Sequence, residues 1–274
     1  MDSEAARVIN AFAEHDVVLL GENHGVHQNF EFIKFLLPHL HTNGVYNIAI
    51  EFGADELQSE ADALVMSDAY SEDVARKLLF QYNVGWPYFD YVNIYRDVWE
   101  FNQSLPPSAP PMRIIHASYI YHWGGWNRDR SVAGMQKVFW RGNYNENRAR
   151  NIMNAVVNGE KVLGIFGAIH ALRTEFPAEY AESLKDYVSL GQILNREIPG
   201  RVWSILLNHA GIGTWDDHIV NGSLDELTDS RIDEKFLDGV NFEEIVRNWP
   251  DPDWTNPPAD LDDYWRIVTN RKLA

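Results

Sequence analysis

Cysteine is absent from the chain, which has 274 residues. Without thiols the protein has no disulfides, no thiolate metal ligands and no cysteine nucleophile. A metal site would therefore depend on histidine and carboxylate ligands. The lack of cysteine also fits a reducing compartment, and we expect a cytoplasmic location.

Basic residues are few compared with acidic ones. Lys and Arg total 23 against 40 Asp and Glu, which gives a formal net charge of −17. Nucleic acids and anionic membranes are bound through clusters of Lys and Arg, so we expect neither as a partner. The acidic, amphipathic start "MDSEAARVINAFAEHD" is unlike a signal peptide, and no apolar run reaches the length of a membrane span.

Several well-known catalytic motifs are also missing. The sequence contains no GxSxG elbow, no phosphate-binding Walker loop, no HExxH and no GxGxxG. The serine hydrolase, P-loop and Rossmann classes therefore have no support. The catalytic chemistry, if there is any, must come from other side chains.

Short apolar runs alternate with helical patterns along the chain. The runs "DVVLLGE" and "YNIAIEFG" enclose the helical stretch "HQNFEFIKFLLPHLHTNG", which predicts a βαβ unit. Further strands are predicted in "MRIIHAS", "KVLGIFGAIHA" and "RVWSILLNHAG". We therefore predict a single α/β domain over residues 1–274, with a mainly parallel central sheet of about five strands flanked by helices. Residues 55–104 are mostly helical in pattern and are predicted to form a helical cap.

Charged side chains stand where several of these strands end. Glu22 and His24 follow the first run, Glu51 closes the second, and His170 follows "LGIFGAI". Ligands of open parallel sheets bind beyond the carboxyl ends of the strands, so we expect these residues to converge. Glu51 is the strongest candidate, because a carboxylate that closes an apolar run is costly to bury unless it is paired. Gly167 and Ala168 are expected to leave room for close approach at His170.

The same residues also have purely structural interpretations. Glu22 could bind backbone amides at the start of the next helix, and His24 could be a hydrogen-bonded loop histidine. His27 is expected on a helix surface. His209 ends another predicted strand and is a weaker candidate for the same edge.

Other residues are candidates for binding a substrate. His116, Tyr119 and His122 follow a further predicted strand, and they could line a cleft together with Trp86. Aromatic packing within a loop is an equally good interpretation of these residues. Arg148 is a candidate for stabilising an oxyanion, although surface ion pairs are the usual role of arginines in an acidic protein.

Taken together, "LLGENHG", "IAIEFG" and "GIFGAIHA" resemble motifs of the erythromycin esterase–ChaN–TraB/Tiki superfamily. The segments "WPYFDYVNIYRDVWEFNQSL", "ENRARNI" and "FLDGVNFEEI" are similar to segments of the erythromycin esterase branch. Only Asn23 separates Glu22 from His24, as in the Tiki and ChaN branches, whereas the esterases usually have two residues there. The chain is also shorter than typical esterases of this group.

The resemblance implies a hydrolase of an ester, lactone or amide bond in a small molecule or peptide. In a mechanism without a cofactor, His24 would be the general base on water, and Glu22 or Glu51 would hold its tautomer. His170 would orient water or protonate the leaving group, and Arg148 would stabilise the oxyanion. The carboxylates are expected to raise the pKa of both histidines. We expect His24→Ala and Glu51→Gln to abolish turnover and to leave the melting temperature nearly intact.

Three alternatives remain open from the sequence. In a Tiki-like hydrolase or protease, Glu22, His24, Glu51 and His170 would bind a divalent metal such as Mn, Fe, Co or Zn. A protein without catalytic activity would carry haem or another small ligand. A biosynthetic cyclase or dehydratase would use the same acid–base groups.

Overall fold

The computed structural model describes residues 3–24, 26–80, 89–120, 142–174, 187–207 and 230–232. The strands within these ranges are β1 Val17–Glu22, β2 Asn47–Ala54, β3 Arg113–Ser118, β4 Val162–Gly167, β5 Val202–Leu207 and β6 Ser230–Ile232. The helices are α1 Ser3–Ala11, α2 His27–Thr42, α3 Gln58–Val65, α4 Glu72–Phe80, α5 Phe89–Ser104, α6 Tyr144–Val157, the single turn α7 Ala168–Ala171, and α8 Leu190–Glu197.

The strands form one sheet in the order β3-β2-β4-β1-β5-β6, and all of its pairings are parallel. This confirms the predicted α/β fold with a parallel central sheet. The five predicted strands correspond to β1–β5, whereas β6 lies in a polar stretch without an apolar run and was not predicted. The segment "FLDGVNFEEI" lies outside the described residues.

Helices cover both faces of the sheet. Every residue of β1, β2 and β4 is buried, as expected for parallel strands with helices on both sides. Val18 and Leu20 of β1 belong to a core cluster with α1–α5, and the alternating residues Val17 and Leu19 belong to a second cluster with α6 and α8. The central strands are therefore held from both sides, which fixes the positions of their carboxyl ends.

Helix α2 runs through Pro38 to Thr42, so this proline does not end it. Gly44 follows with a φ of 75°, a left-handed conformation that glycine adopts without strain. The helix thus ends two residues before this glycine, and the chain turns there towards β2.

The helices of residues 55–104 pack against the face of the sheet. Leu64 of α3, Leu79 of α4 and Tyr95 of α5 lie in the same core cluster as Ile50 of β2 and Ile114 of β3. These helices thus contribute to the flanking layer. Their description as a cap insertion, like the limits of the domain, stays a prediction.

Across the described ranges, none of the helices combines the length and apolar character that crossing a bilayer would require.

Candidate functional site

The strand order places three of the predicted site segments side by side. Strand β4 lies between β1 and β2, so the carboxyl ends of these strands are neighbours. The paired residues of β2 and β4 end at Ile50 and Ile165, beyond which Glu51 turns its carboxylate towards β4. The backbone N–H of Gly167 donates to Glu51 Oε2 at 2.8 Å. The Glu51 carboxylate thus connects β2 to β4 at the edge of the sheet where a ligand would bind.

His24 is held by Glu22 and a tyrosine of α5. His24 Nδ1 lies 2.8 Å from Glu22 Oε1 and 3.1 Å from the hydroxyl of Tyr91, which itself donates to Glu22 Oε1 at 2.8 Å. The Glu22 side chain is 2% exposed and the His24 side chain 17%. With a carboxylate oxygen this close, we assign the proton of the neutral ring to Nδ1, which leaves the lone pair on Nε2.

The Nε2 side of the His24 ring lies next to Gly167. A Cβ atom built on Gly167 would lie 2.8 Å from His24 Nε2 and 3.5 Å from Glu51 Oε2. Any side chain at position 167 would therefore collide with the imidazole. The sequence predicted that Gly167 leaves room at His170, whereas the atoms that lie in this space in the structure belong to His24 and Glu51.

The charge on His24 is favoured by its neighbours. Burial lowers the pKa of His24, but the charge of Glu22, the hydrogen bond to Glu22 and the charge of Glu51 together outweigh burial and raise that pKa. The imidazolium form is thus stabilised in this position, as a general base requires after it has taken a proton.

Glu51 is the carboxylate on which the other charges of the site converge. Its Oε1 atom lies 2.9 Å from the Arg148 guanidinium and 3.2 Å from His170 Nε2. Burial raises the pKa of Glu51, but Arg148, His170 and His24 outweigh burial and hold that pKa well below its usual range. Glu51 is therefore ionised, and the pairing that its burial requires is present.

Arg148 lies inside the protein and contacts Glu51. Its side chain is 1% exposed, with Nε donating to Ser118 Oγ at 3.0 Å and NH1 donating to Asn145 Oδ1 at 3.2 Å. Its guanidinium carbon lies 4.8 Å from the centre of the Tyr144 ring. These contacts make Arg148 the counter-ion of Glu51, and they lend no support to the oxyanion role predicted for it.

His170 differs from His24 in its electrostatics. Burial lowers the pKa of His170 below its ordinary value, even though the charge of Glu51 acts to raise that pKa. The expected net rise in pKa is therefore found for His24, whereas at His170 burial outweighs the effect of the carboxylate. Two neighbouring imidazoles with opposite shifts are suited to different tasks in acid–base chemistry.

His116 is a hydrogen-bonded core histidine. It is 1% exposed, with Nε2 2.7 Å from the Tyr95 hydroxyl and Nδ1 2.9 Å from the carbonyl oxygen of Ala54. Burial lowers the pKa of His116 to about 4. Its contacts give it a structural role and lend no support to substrate binding. Tyr119 is also buried, and its hydroxyl donates to the Gly142 carbonyl at 3.3 Å.

Trp86, His122 and His209 lie outside the described residues, so their predicted roles stay predictions. His27 is 60% exposed and pairs with Asp90 at 2.8 Å on the surface, as the sequence indicates.

Two tyrosines of the site were not found from the sequence. Tyr91 contacts Glu22 and His24, and the hydroxyl oxygen of Tyr187 lies 2.5 Å from His170 Nδ1. Neither stands at the end of a strand, so no spacing rule points to it. The only available signal was that Tyr91 belongs to the segment "WPYFDYVNIYRDVWEFNQSL", which carries part of the family resemblance.

The site residues do not fit a metal centre as they stand. In the part of the chain that the structure describes, no three His, Asp or Glu side chains are arranged to hold a metal ion. His24 Nδ1 is bonded to Glu22, and Glu51 already pairs with the Arg148 guanidinium. A divalent ion on Glu51 would sit next to that positive charge, which is unfavourable at low dielectric.

A small cavity lies beside the two carboxylates. It has a volume of about 10 Å³ and is lined by Glu22, Ile50, Glu51, Phe52, Leu79, Tyr91, Ile94 and Ile165. This volume is close to the minimum that accommodates one water molecule.

Neither a family model nor a curated protein matches the sequence. Among solved structures, the fold is similar to that of a structural-genomics protein from Bacillus cereus, with a TM-score of 0.50 and 13% identity over 73% of this chain and 67% of that one. ChaN of Campylobacter jejuni, solved with cofacial haem, gives a TM-score of 0.44 and 16% identity over 78% of this chain and 88% of that one. A succinoglycan biosynthesis protein gives 0.44 and 12% identity, over 75% of this chain and 68% of that one.

At 13% identity, the similarity to the Bacillus cereus protein shows a shared α/β fold and leaves the activity open. The other two similarities have lower TM-scores and carry no argument about function. The function must therefore be argued from the side chains of the site.

Proposed function

We propose that the protein is a hydrolase that cleaves an ester, lactone or amide bond in a small molecule or peptide, with His24 as the general base. The observation that carries this proposal is the contact of His24 Nδ1 with Glu22 at 2.8 Å, which turns Nε2 towards Gly167 and the carboxylate of Glu51. A base whose tautomer and orientation are held by a buried carboxylate is the arrangement that activates water in many hydrolases.

In this mechanism, His24 Nε2 takes a proton from water as the water oxygen attacks the carbonyl carbon of the substrate. The positive charge that forms on His24 is stabilised by Glu22 and Glu51, the two groups that raise its pKa. The tetrahedral intermediate then collapses, and the proton on His24 passes to the leaving alcohol or amine. The base role of His24 is worth about 10²- to 10⁴-fold in rate.

Two further observations support the proposal. The motifs of the chain resemble those of the erythromycin esterase–ChaN–TraB/Tiki superfamily, and the residues of those motifs meet in one cluster. The ion pair of Glu51 with Arg148 at 2.9 Å favours a mechanism in which protein groups alone activate the water, over the metal-dependent variant.

The experiment that tests the proposal compares two histidine variants on a panel of nitrophenyl esters, lactones and amides. His24→Ala is expected to lower kcat/KM about 10²- to 10⁴-fold. His27→Ala, which changes an exposed histidine three residues away, is the matched control and is expected to keep the wild-type rate. Turnover by His24→Ala at the wild-type rate would contradict the proposal.

The same preparation separates the alternatives. The proposed mechanism predicts that EDTA leaves turnover unchanged, whereas a metal-dependent hydrolase would lose activity and regain it when metal is returned. A ligand carrier would show no turnover across the panel and would retain a bound ligand, visible as absorbance in the case of haem. A cyclase or dehydratase would convert a substrate without the addition of water to the product, which mass spectrometry detects.

A further inference from the structure

The geometry points to Tyr187 as a positioning residue that holds His170 in the neutral tautomer with its proton on Nε2, so that His170 acts only as a donor and His24 is the base. The catalytic meaning of this inference rests on the proposed function. The tautomer itself does not, and it follows from a closed ring of hydrogen bonds.

The ring begins at Arg148, which can only donate. Its NH1 atom lies 3.2 Å from Asn145 Oδ1, so the oxygen of the Asn145 amide faces the guanidinium. The amide nitrogen of Asn145 must then point the other way, where it donates to the Tyr187 hydroxyl oxygen at 3.0 Å and to the Val188 carbonyl at 2.8 Å. Arg148 thus fixes which end of Asn145 meets the tyrosine.

The Tyr187 hydroxyl oxygen accepts from Asn145 and lies 2.5 Å from His170 Nδ1, and we assign the hydroxyl proton to this short contact. Burial raises the pKa of Tyr187, so the phenol keeps this proton. Nδ1 of His170 is therefore an acceptor, and the proton of the neutral ring must sit on Nε2.

The remaining contacts agree with this assignment. Nε2 of His170 lies 3.2 Å from Glu51 Oε1, an ionised carboxylate oxygen that needs a donor. Arg148 NH2 donates to the same oxygen at 2.9 Å and closes the ring. In this arrangement the lone pair of the neutral His170 ring is on Nδ1 and accepts the hydrogen bond from Tyr187. Nε2 carries a proton, so His170 cannot take a proton from water there.

His24 is held the opposite way round. Its Nδ1 atom faces Glu22 Oε1, and the Tyr91 hydroxyl donates to the same oxygen, so Nδ1 carries the proton. Two imidazoles that both approach Glu51 thus present different atoms to the site: a lone pair on His24 Nε2 and an N–H on His170 Nε2. Glu22 at His24 Nδ1 and Tyr187 at His170 Nδ1 thus make one histidine a base and the other a donor.

The test is ¹⁵N NMR of the full chain with labelled histidine at mildly alkaline pH, where nitrogen shifts distinguish the two neutral tautomers. Signals are assigned by their loss in His24→Asn and His170→Asn. We expect the Nδ1–H form for His24, and for His170 the Nε2–H form with a hydrogen-bonded Nδ1.

In Tyr187→Phe, the His170 Nδ1 resonance is expected to move towards that of a lone pair without a hydrogen bond. Tyr70→Phe is the matched control, because the Tyr70 hydroxyl donates to the backbone carbonyl of Val92, and it should leave the His170 resonances unchanged. On a substrate that the wild type turns over, Tyr187→Phe is expected to lower kcat about 3- to 10-fold, the loss of one neutral hydrogen bond, with KM unchanged.

An Nδ1–H form of His170 in the wild-type spectrum, or an unchanged Nδ1 resonance in Tyr187→Phe, would overturn the inference. If Tyr187→Phe does not fold, the wild-type spectrum alone decides. The expected tautomers in a protein that hydrolyses nothing would leave this inference standing and count against the proposed function instead.

Discussion

At the scale of single residues, Glu51 is the carboxylate that holds the charges of the candidate site together. Its carboxylate pairs with a guanidinium that is 1% exposed, accepts the Gly167 N–H and faces His170. Removing one member of a buried ion pair leaves the other charge without compensation. The expectation that Glu51→Gln leaves the melting temperature nearly intact is therefore not consistent with the structure, and we replace it.

We predict that Glu51→Gln lowers the free energy of unfolding by about 3–5 kcal/mol, because Arg148 stays buried without its counter-ion. Urea unfolding measures this change. Glu31→Gln is the control, since the side chain of Glu31 is 61% exposed, and its effect should stay within about 0.5 kcal/mol. Equal stability of the two variants would show that Glu51 and Arg148 are not a buried pair.

Gly167 gives a second prediction at this scale. A methyl group at this position would lie 2.8 Å from His24 Nε2, so Gly167→Ala should displace the imidazole, abolish turnover and destabilise the fold. The double variant Gly167→Ala/His24→Ala removes the clash, and a double-mutant cycle by urea unfolding should show that stability is regained. Additive losses would mean that the two residues are not in contact.

The residues that the sequence could identify are those that end an apolar run. Glu51 and His170 were found because a charged side chain at that point needs a partner or a function. Tyr91 and Tyr187 were not found. Tyr91 reaches the site through helix packing and Tyr187 through a loop, and neither leaves a local pattern in the sequence. The opposite pKa shifts of His24 and His170 were likewise not predictable, since they depend on the balance of burial and charge.

At the scale of elements, β3 shows how the strand-end argument fails. His116 stands near the end of a parallel strand, as Glu51 does, but α5 covers it and supplies Tyr95 to its ring. Gln58, the first residue of α3, accepts the backbone N–H of His116 at 2.8 Å. Because these helices pack over β2 and β3, His116, a candidate for substrate binding, is buried in the core.

This packing predicts a pH dependence of stability. The pKa of His116 is about 4 in the folded protein, against 6.5 as its ordinary value. Between these values the unfolded chain binds a proton that the folded protein does not, so stability rises with pH in this range and is lost as pH falls through it. Through His116 alone, the free energy of unfolding should fall by about 2 kcal/mol when the pH is lowered from about 7 to about 5.

Urea unfolding of the wild type and of His116→Gln at both pH values measures this contribution. The variant should lose less stability on acidification than the wild type, by that amount. An identical loss in both proteins would show that His116 titrates normally and is not buried as described.

The fold was largely predictable at this scale, because β1–β5 are apolar runs that stop at Gly or at polar residues. The order of the strands was not, since pairing β4 between β1 and β2 depends on contacts between distant segments. The placement of α3–α5 against the sheet was also beyond the local pattern. A helical stretch looks the same in sequence whether it lies on a face or above an edge.

At the scale of the whole molecule, the sheet explains why segments far apart in sequence form one site. Strand β1 brings Glu22 and His24, β2 brings Glu51, and the turn after β4 brings His170, all at the carboxyl edge of adjacent strands. Helix α6 then adds Arg148 from one side of the sheet, and α5 adds Tyr91 from the other. The site is therefore a product of the topology as much as of its motifs.

The most direct test of the base role of His24 is chemical rescue of His24→Ala by imidazole, measured on an ester that the wild-type protein hydrolyses. The cavity left by the side chain should admit the free base, so we predict that kcat/KM rises in proportion to imidazole concentration in His24→Ala and stays constant in His27→Ala. A folded His24→Ala protein whose rate does not respond to imidazole, or responds no more than the His27→Ala control, would contradict the account.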